Sequence, residues 1–460
     1  MSRAHDFTQG NTLRHLIRFS APIIGANLLQ TSFQFADSLW VGNLLGAEAL
    51  GAVAVSSVVV FTVLSFVVGM NNAALAILSQ QRGRRDEAGL ARYVNAFVVT
   101  LFALALALGT AGFVLSGTLL ELLGTPGSIV VEARGYLQVT FIGILFLFGY
   151  NFISTVLRAI GDSRTPMRFV AVAVVLNVVL DPLFIHTFGL GIEGAAYATV
   201  VAQGAAFLYG AGHVIRQRLV PLRRPTLPAW SEVRTIFGLG IPSGLQMAVI
   251  SAGSAAIMSV VTDFGSAVVG GYGAAQRLDS LIMVPAQALG IAVSSMVGQN
   301  IGGGNWGRVS RISREAVLFN VAVMGSIALV LVAFADDAIK LFVREAESVA
   351  FGARYLRTVA LFYPFLGINF VLNGAVRASG AMYQVLALNI VSFWLLRVPL
   401  TALFADLLGD AGIGVGIGTS FVISSAVAYL YFRFGRWREK ELFEEPVEQP
   451  RSEAPTPPAR

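Results

Sequence analysis

Long apolar stretches separated by short polar ones organise this chain. Twelve such stretches can be counted, at about 17–43, 49–79, 93–117, 135–157, 166–187, 191–213, 235–262, 267–297, 313–335, 353–376, 383–405 and 411–432. Each exceeds 20 residues and none alternates strictly, which suits helices crossing a ~30 Å hydrocarbon core and not the strands of a barrel. The connections alternate in charge. The first holds only Glu48, whereas the second carries Arg82, Arg84, Arg85 and Arg92. The fourth, sixth, eighth and tenth are again basic, and the chain leaves its last stretch through Arg433, Arg436, Arg438 and Lys440. The positive-inside bias then gives an even number of spans, with both termini in the cytoplasm of a cell whose plasma (inner) membrane holds the protein.

The pattern also repeats. At an offset of 219 residues, Gln80, Gly83 and Arg92 fall on Gln299, Gly302 and Arg311, Tyr136-Leu137 falls on Tyr355-Leu356, and Arg158-Ala159-x-Gly161 falls on Arg377-Ala378-x-Gly380. The correspondence extends from about Pro22, near Pro242, to Gly191-Ile192, near Gly412-Ile413 after a small gap. Each copy holds six spans and starts on the same side, so the repeat is parallel, a layout used by secondary transporters. The expected fold is all-α: a polytopic membrane protein of twelve transmembrane helices in two six-helix lobes. The lobes are bounded at 12–213 and 234–435, with a basic, proline-bearing linker at 214–233 and a disordered tail at 436–460.

Composition narrows the function. The 460 residues are 55% hydrophobic and 13% charged, against about 25% charged in soluble domains. Mean hydropathy is +0.72. Met1 to Gly10 is polar, and no signal peptide is expected. Cysteine is absent and the four histidines are scattered, which excludes disulfides and thiolate metal sites. The positive charge sits in loops, with no soluble basic domain for nucleic acid. Gly189-x-Gly191-x-x-Gly194 matches a dinucleotide fingerprint only formally, since it joins two membrane spans without a preceding strand. Gly412, Gly414, Gly416 and Gly418 are packing residues. No GxxxxGK[ST] loop is present, so ATP-driven transport by this chain is not expected.

Few charges fall within the spans: Asp37, Asp181, Arg277, Asp279 and Arg397. An ionisable group at membrane depth is costly and is read as functional by default. Asp37 lies about 20 residues into span 1 and Asp181 about 15 into span 5, similar depths beyond the midplane at 1.5 Å per residue. Two acids at one depth in one lobe can share a cavity and carry a proton or hold a small cation; capping a broken helix or meeting a buried arginine is the structural alternative. Asn177 lies one turn before Asp181, Gln30 two turns before Asp37, Tyr136 and Asn151 on span 4, and Thr199 and Gln203 on span 6. Pro22 gives span 1 a point at which to bend. The repeat places Ala256 opposite Asp37 and Val398 near Asp181, with Pro399 on Pro182, so the paired acids belong to the first lobe. The second lobe offers Gln246, Asn369, Asn373 and the run Gln276-Arg277-Leu278-Asp279; Arg277 and Asp279, two apart, need separate partners.

Pro22 followed by Ala36-Asp37-Ser38 and Val41-Gly42, Asn177-x-x-x-Asp181-Pro182, Arg158-Ala159-x-Gly161-Asp162 and Val297-Gly298-Gln299-Asn300 together resemble the multidrug and toxic compound extrusion (MATE) transporters, most closely the DNA-damage-inducible-F-type branch, over about residues 12–435. The resemblance implies a V-shaped pair of lobes, export of organic cations against protons or Na⁺, and an ion site at Asp37, Asn177, Asp181 and Thr199 with Tyr136 and Asn151 as neighbours. Another branch uses acids on spans 7 and 10. Here those positions read Ile250-Ser251 and Gly367-Ile368-Asn369, which speaks against a cation site in the second lobe.

The expected activity is therefore secondary efflux of cationic amphiphiles in exchange for protons, or Na⁺, by alternating access. The protein is not expected to be an enzyme and needs no cofactor beyond the coupling ion. It should work as a monomer among membrane lipids. A flippase for lipid-linked saccharides or other lipids, from the same superfamily, is the alternative and would want a basic cavity. A major-facilitator-type carrier shares the layout, but Gln81-Arg82-Gly83-Arg84-Arg85-Asp86 lacks that group's glycine–acid–basic order.

Overall fold

The computed structural model describes residues 5–221, 225–440 and 442–443. The first half comprises α1 (Thr12–Leu45), α2 (Ala47–Arg84), α3 (Glu87–Leu122), α4 (Val130–Ile142), α5 (Ile144–Ala159), α6 (Arg164–Pro182) and α7 (Gly191–Gln217). The second repeats it with α8 (Trp230–Thr262), α9 (Ser266–Gly302), α10 (Trp306–Lys340), α11 (Ala346–Ala360), α12 (Tyr363–Ala378), α13 (Met382–Ile390), α14 (Val398–Leu408) and α15 (Ala411–Phe434). Among the described residues nine helices are long and apolar enough to cross a membrane, or eleven when the bent pairs α4–α5 (48°) and α11–α12 (53°) count as one span each. The twelfth expected span is α1, 34 residues long, whose apolar character is diluted by Gln30, Gln34 and Asp37.

The breaks in these spans have local causes; the bends between α4 and α5 and between α11 and α12 recur at equivalent places, and each half also has a π-helical turn in its fifth span. A β-carbon at Gly143, between α4 and α5, would lie 2.2 Å from Val200. Pro364 opens α12, where its missing N–H costs nothing. A π-helical turn, Leu183–Thr187, follows α6 directly after Asp181-Pro182, and a second, Val391–Arg397, separates α13 from α14. By contrast α1 runs unbroken through Pro22.

The halves are laced together through their first helices. Phe19 and Ile23 of α1 pack with Ala292 and Val297 of α9 and Val376 of α12, while Ile236 and Leu239 of α8 join the first half's core. A reciprocal contact completes the seam. Gln80 Nε2 donates to the Ala378 carbonyl at 2.7 Å, and Gln299 Nε2 to the Ala159 carbonyl at 2.8 Å. Beside them the backbones touch: a β-carbon on Gly83 would lie 1.9 Å from the Gln299 carbonyl oxygen, and one on Gly302 would lie 2.0 Å from that of Gln80. Glu232 accepts from Ala229 N–H, capping α8, and pairs with Arg92 Nε at 3.0 Å. At the equivalent end of α1, Thr12 donates to Glu315 of α10. These contacts all lie on the side of the arginine-rich connections. The deepest, Asn72 to Ser243 at 2.9 Å, is about 18 Å from the end of α2 at 1.5 Å per residue.

The segments flanking the helices reinforce the same side. Phe7 is fully buried, donates its N–H to Gln299 Oε1 and accepts from Asn300 Nδ2 and Arg308 at its carbonyl. At the other end the disordered tail expected from residue 436 is corrected for 436–440 and 442–443. Trp437 is fully buried, stacked on Phe432 with its indole N–H on the Phe432 carbonyl at 2.8 Å, and Phe443 meets Tyr93 of α3 edge-on. One tryptophan and one phenylalanine supply the apolar burial that a proline-rich composition hid. Residues 444–460, and Arg223 and Arg224 of the linker, lie outside the described residues.

Gly302→Val should open this seam. Overpacking of this kind costs ~1–3 kcal/mol, enough to speed maleimide labelling of a buried Ser79→Cys probe roughly tenfold or more. The chain has no cysteine of its own, so the label reports one site. Unchanged labelling would show that the seam does not govern closure.

Candidate functional site

The acid pair sits beyond the seam. Asp181 lies 17 residues into α6, about 26 Å along the helix. Four helices converge there, with α6 packed on both α1 and α7 and α4 on α7. They gather Asp37 from α1, Tyr136 from α4, Asn177 and Asp181 from α6 and Thr199 from α7. Asp181 is fully buried and Asn177 is 1% exposed. The two carboxylates lie within electrostatic range of each other, and both act on the Tyr136 hydroxyl. Asn177 Nδ2 donates to Thr199 Oγ1 at 3.2 Å, and the same side chain acts on the Asp181 carboxylate one turn on.

The chemistry of this cluster is one-sided. Among the described residues, Asp37 Oδ1, both Asp181 oxygens and Asn177 Oδ1 are buried acceptors without a geometrically formed hydrogen bond. Buried acceptors are almost always satisfied. No arginine or lysine pairs with either acid among the described residues, so the alternative of a buried salt bridge is not what the fold builds. Oxygens arranged this way accept a proton or ligate a hard monovalent cation. The π-helical turn directly after Asp181-Pro182 loosens α6 at this point, and such turns recur at functional sites.

The other expected residues are distributed differently. Gln203 lies one turn beyond Thr199 on α7 and is half-buried; Gln30 is exposed on α1. Asn151 donates to the Leu147 carbonyl of its own helix at 2.8 Å. Gln246, Asn369 and Asn373 belong to the second half and are not brought to the acids. Gln246 reaches the Met382 carbonyl, and Asn373 donates to Asn369 one turn away. Arg277 is exposed, its guanidinium 5.9 Å from the Phe342 ring, while Asp279 on the other face of α9 is buried.

Asp279 leads to a cluster that sequence reasoning did not assemble. Its carboxylate accepts from Tyr363 and, at 3.5 Å, from Tyr355. Tyr272 lies edge-on to Tyr355 at 5.3 Å and accepts from Gln276 at 2.6 Å. Arg397, at the end of the second π-helical turn, lies between the rings of Phe393 and Phe421 with its Cζ 3.7 and 4.6 Å from their centres. Two signals for it were present in the sequence: the match of Tyr136 to Tyr355, and an arginine inside a span. Nothing in the sequence marked Tyr363.

Paired six-span repeats with a polar cluster deep in each half define a secondary membrane transporter. The MatE family model matches residues 22–183 and again 242–403, the two halves in turn, and the chain belongs to that family of transporters. It is 60% identical to "Probable multidrug resistance protein YpnP" of Bacillus subtilis, over 96% of this chain and all of that one. It is 26% identical to "Probable multidrug resistance protein NorM" of Thermotoga maritima, over 93% and 94%. The fold matches a solved outward-facing multidrug resistance MATE family transporter with a TM-score of 0.87 at 24% identity, covering 94% of this chain and 98% of that one.

Thr199→Val tests the local geometry. It strips the acceptor from Asn177 Nδ2 and should lower stability by about 1 kcal/mol, the scale of an interhelical hydrogen bond in a membrane. Thr199→Ser should restore it, read as the thermal unfolding midpoint in detergent. Equal midpoints for the valine and serine variants would remove the bond from the account.

Proposed function

We propose that this transporter exports cationic amphiphiles in exchange for protons, and that Asp37 and Asp181 are the coupling groups. The reading rests chiefly on one observation: two carboxylates share a buried cluster in which Asp37 Oδ1 and both Asp181 oxygens have no hydrogen-bond partner among the described residues. The family relatives named for multidrug resistance support the substrate class. The acids lie far along their helices from the arginine-rich connections, and in this reading they exchange protons with the opposite face, which the positive-inside rule makes the outside.

The cycle follows from charge. With the acids ionised, the first lobe offers negative charge that a cation offsets. Protonation from outside removes that charge and releases the cation. It also removes the repulsion between α1 and α6, which lets the two helices approach and Pro22, with no N–H for the backbone ladder, absorb a bend in α1. Return to the inward side discharges the protons to the cytoplasm. A membrane potential supplies about 2.3 kcal/mol per 100 mV for each charge moved. The same oxygens, with Asn177 Oδ1 among them, suit Na⁺ as the exchanged ion, and this second reading changes the ion without moving the site.

Asp37→Asn and Asp181→Asn should each abolish dye efflux driven by a pH gradient in proteoliposomes while leaving the protein folded and monodisperse. Wild-type efflux that responds to a Na⁺ gradient alone would reassign the ion. Intact pH-driven efflux in either variant would remove that acid from the coupling step.

A further inference from the structure

The repeat gives the acid pocket a counterpart in the second half, and there the charge is reversed. Tyr136 corresponds to Tyr355, and Asp37 to Ala256. Asp181 corresponds to Val398, next to Arg397. Carrying the Gly191-to-Gly412 correspondence along α7 and α15 brings Thr199 onto Ser420. In the first half an amide on α6 donates to the Thr199 hydroxyl. In the second, Arg397 Nε donates to the Ser420 hydroxyl at 3.3 Å. The equivalent hydroxyls of the sixth span thus both accept from the fifth, but from different positions: Asn177 in the first half and, in the second, Arg397, which the repeat places on Leu180.

Arg397 is 6% exposed, and that single long bond is its one hydrogen bond among the described residues. The rings of Phe393 and Phe421 lie against the guanidinium, their centres 3.7 and 4.6 Å from its Cζ, and an aromatic ring accepts none of its N–H groups as a carboxylate or carbonyl would. A guanidinium has five such donors in a planar fork. No carboxylate pairs with it. Asp279, close enough to act on it electrostatically, has its own oxygens taken up by Tyr363 and Tyr355. A cation buried to this degree is ordinarily paired. Two N–H groups on one planar edge fit the two oxygens of a carboxylate or a phosphate.

We propose that Arg397, held by Phe393, Phe421 and Ser420, is an oxyanion subsite, and that the transporter accepts amphiphiles bearing a carboxylate or phosphate as well as a cationic group. This rests on the efflux reading above and deepens it: the first lobe takes the positive end and the second the negative. Asp279 keeps the subsite weak enough to release its ligand.

The test uses a matched pair of probes, a cationic xanthene dye with a free carboxylate and its methyl ester, with binding followed by fluorescence polarisation on the purified full chain in phosphatidylcholine nanodiscs. Arg397→Gln should weaken binding of the carboxylate dye about tenfold or more, the scale of a charge-assisted bond, and leave the ester within about twofold. Should that variant fail to fold, Arg397→Lys keeps the charge without the planar edge and should still weaken the carboxylate dye selectively. Competition by phosphatidylglycerol in the discs would identify a lipid phosphate as the oxyanion, and competition by free phosphate an inorganic one. Equal loss for both dyes would make Arg397 a packing residue, and unchanged carboxylate binding would remove the subsite; either overturns the proposal. Export of the ester by the wild type under a pH gradient is read separately, so failure of efflux and failure of the subsite are distinguishable.

Discussion

Two glycines in contact with two carbonyls hold this molecule in its present form. Gly83 lies against the Gln299 backbone and Gly302 against that of Gln80, and only residues without a side chain let helices meet so closely. The glutamines beside them then reach across to Ala378 and Ala159. Each half contributes the same parts, so the contact is self-complementary about an axis along the membrane normal. The contact continues past Asn72 and Ser243, since a β-carbon on Gly244 of α8 would lie 3.1 Å from the Ser65 carbonyl oxygen of α2. The polar clusters lie inside their own halves, with Asp181, Asp279 and Arg397 all buried.

Duplication explains the architecture, but the differences between the copies explain the chemistry. A pair of identical acid pockets would bind two cations and gain nothing from polarity. Here the first copy keeps two carboxylates beside a tyrosine and a threonine. The second keeps the tyrosine and a hydroxyl, loses the Asp37 equivalent to Ala256, and places a guanidinium beside the position of Asp181. The π-helical turns fall at these points in both halves, after Asp181-Pro182 in one and ending on Arg397 in the other. Local unwinding at a costly charge relaxes the backbone where the side chain must be positioned, and the repeat has retained it with either sign of charge.

Much of this was legible in the sequence, for identifiable reasons. Span number and the parallel repeat could be read because apolar length and arginine placement are imposed by the bilayer, which acts alike on every residue. Asp37, Asp181 and Asn177 could be brought together because charge in a span is rare and helical spacing fixes which faces agree, whereas Thr199 joined them as part of the site only through the resemblance to the MATE transporters. The second cluster was harder. Tyr363 and Tyr355 are ordinary residues for a membrane helix, and their meeting with Asp279 depends on the bend between α11 and α12. Trp437 and Phe443 escaped for the opposite reason, since two aromatic residues can anchor a segment whose composition reads as unstructured. The polar side chains of Gln246 and Asn151 show the limit of polarity as a signal, because both are satisfied by backbone carbonyls and neither reaches the acids.

The paired clusters bear on how such a protein can be both selective and promiscuous. An acid pair alone recognises positive charge at long range and imposes little shape, which suits varied cations. A sandwiched guanidinium imposes planar geometry on whatever meets its edge. In the proposed cycle a ligand would meet both clusters at once, and neutralising Asp37 and Asp181 would weaken the hold on its positive end. Because α1 packs on α6 of its own half and on α9 of the other, the helix that carries Asp37 is the element through which such a change would reach the second half.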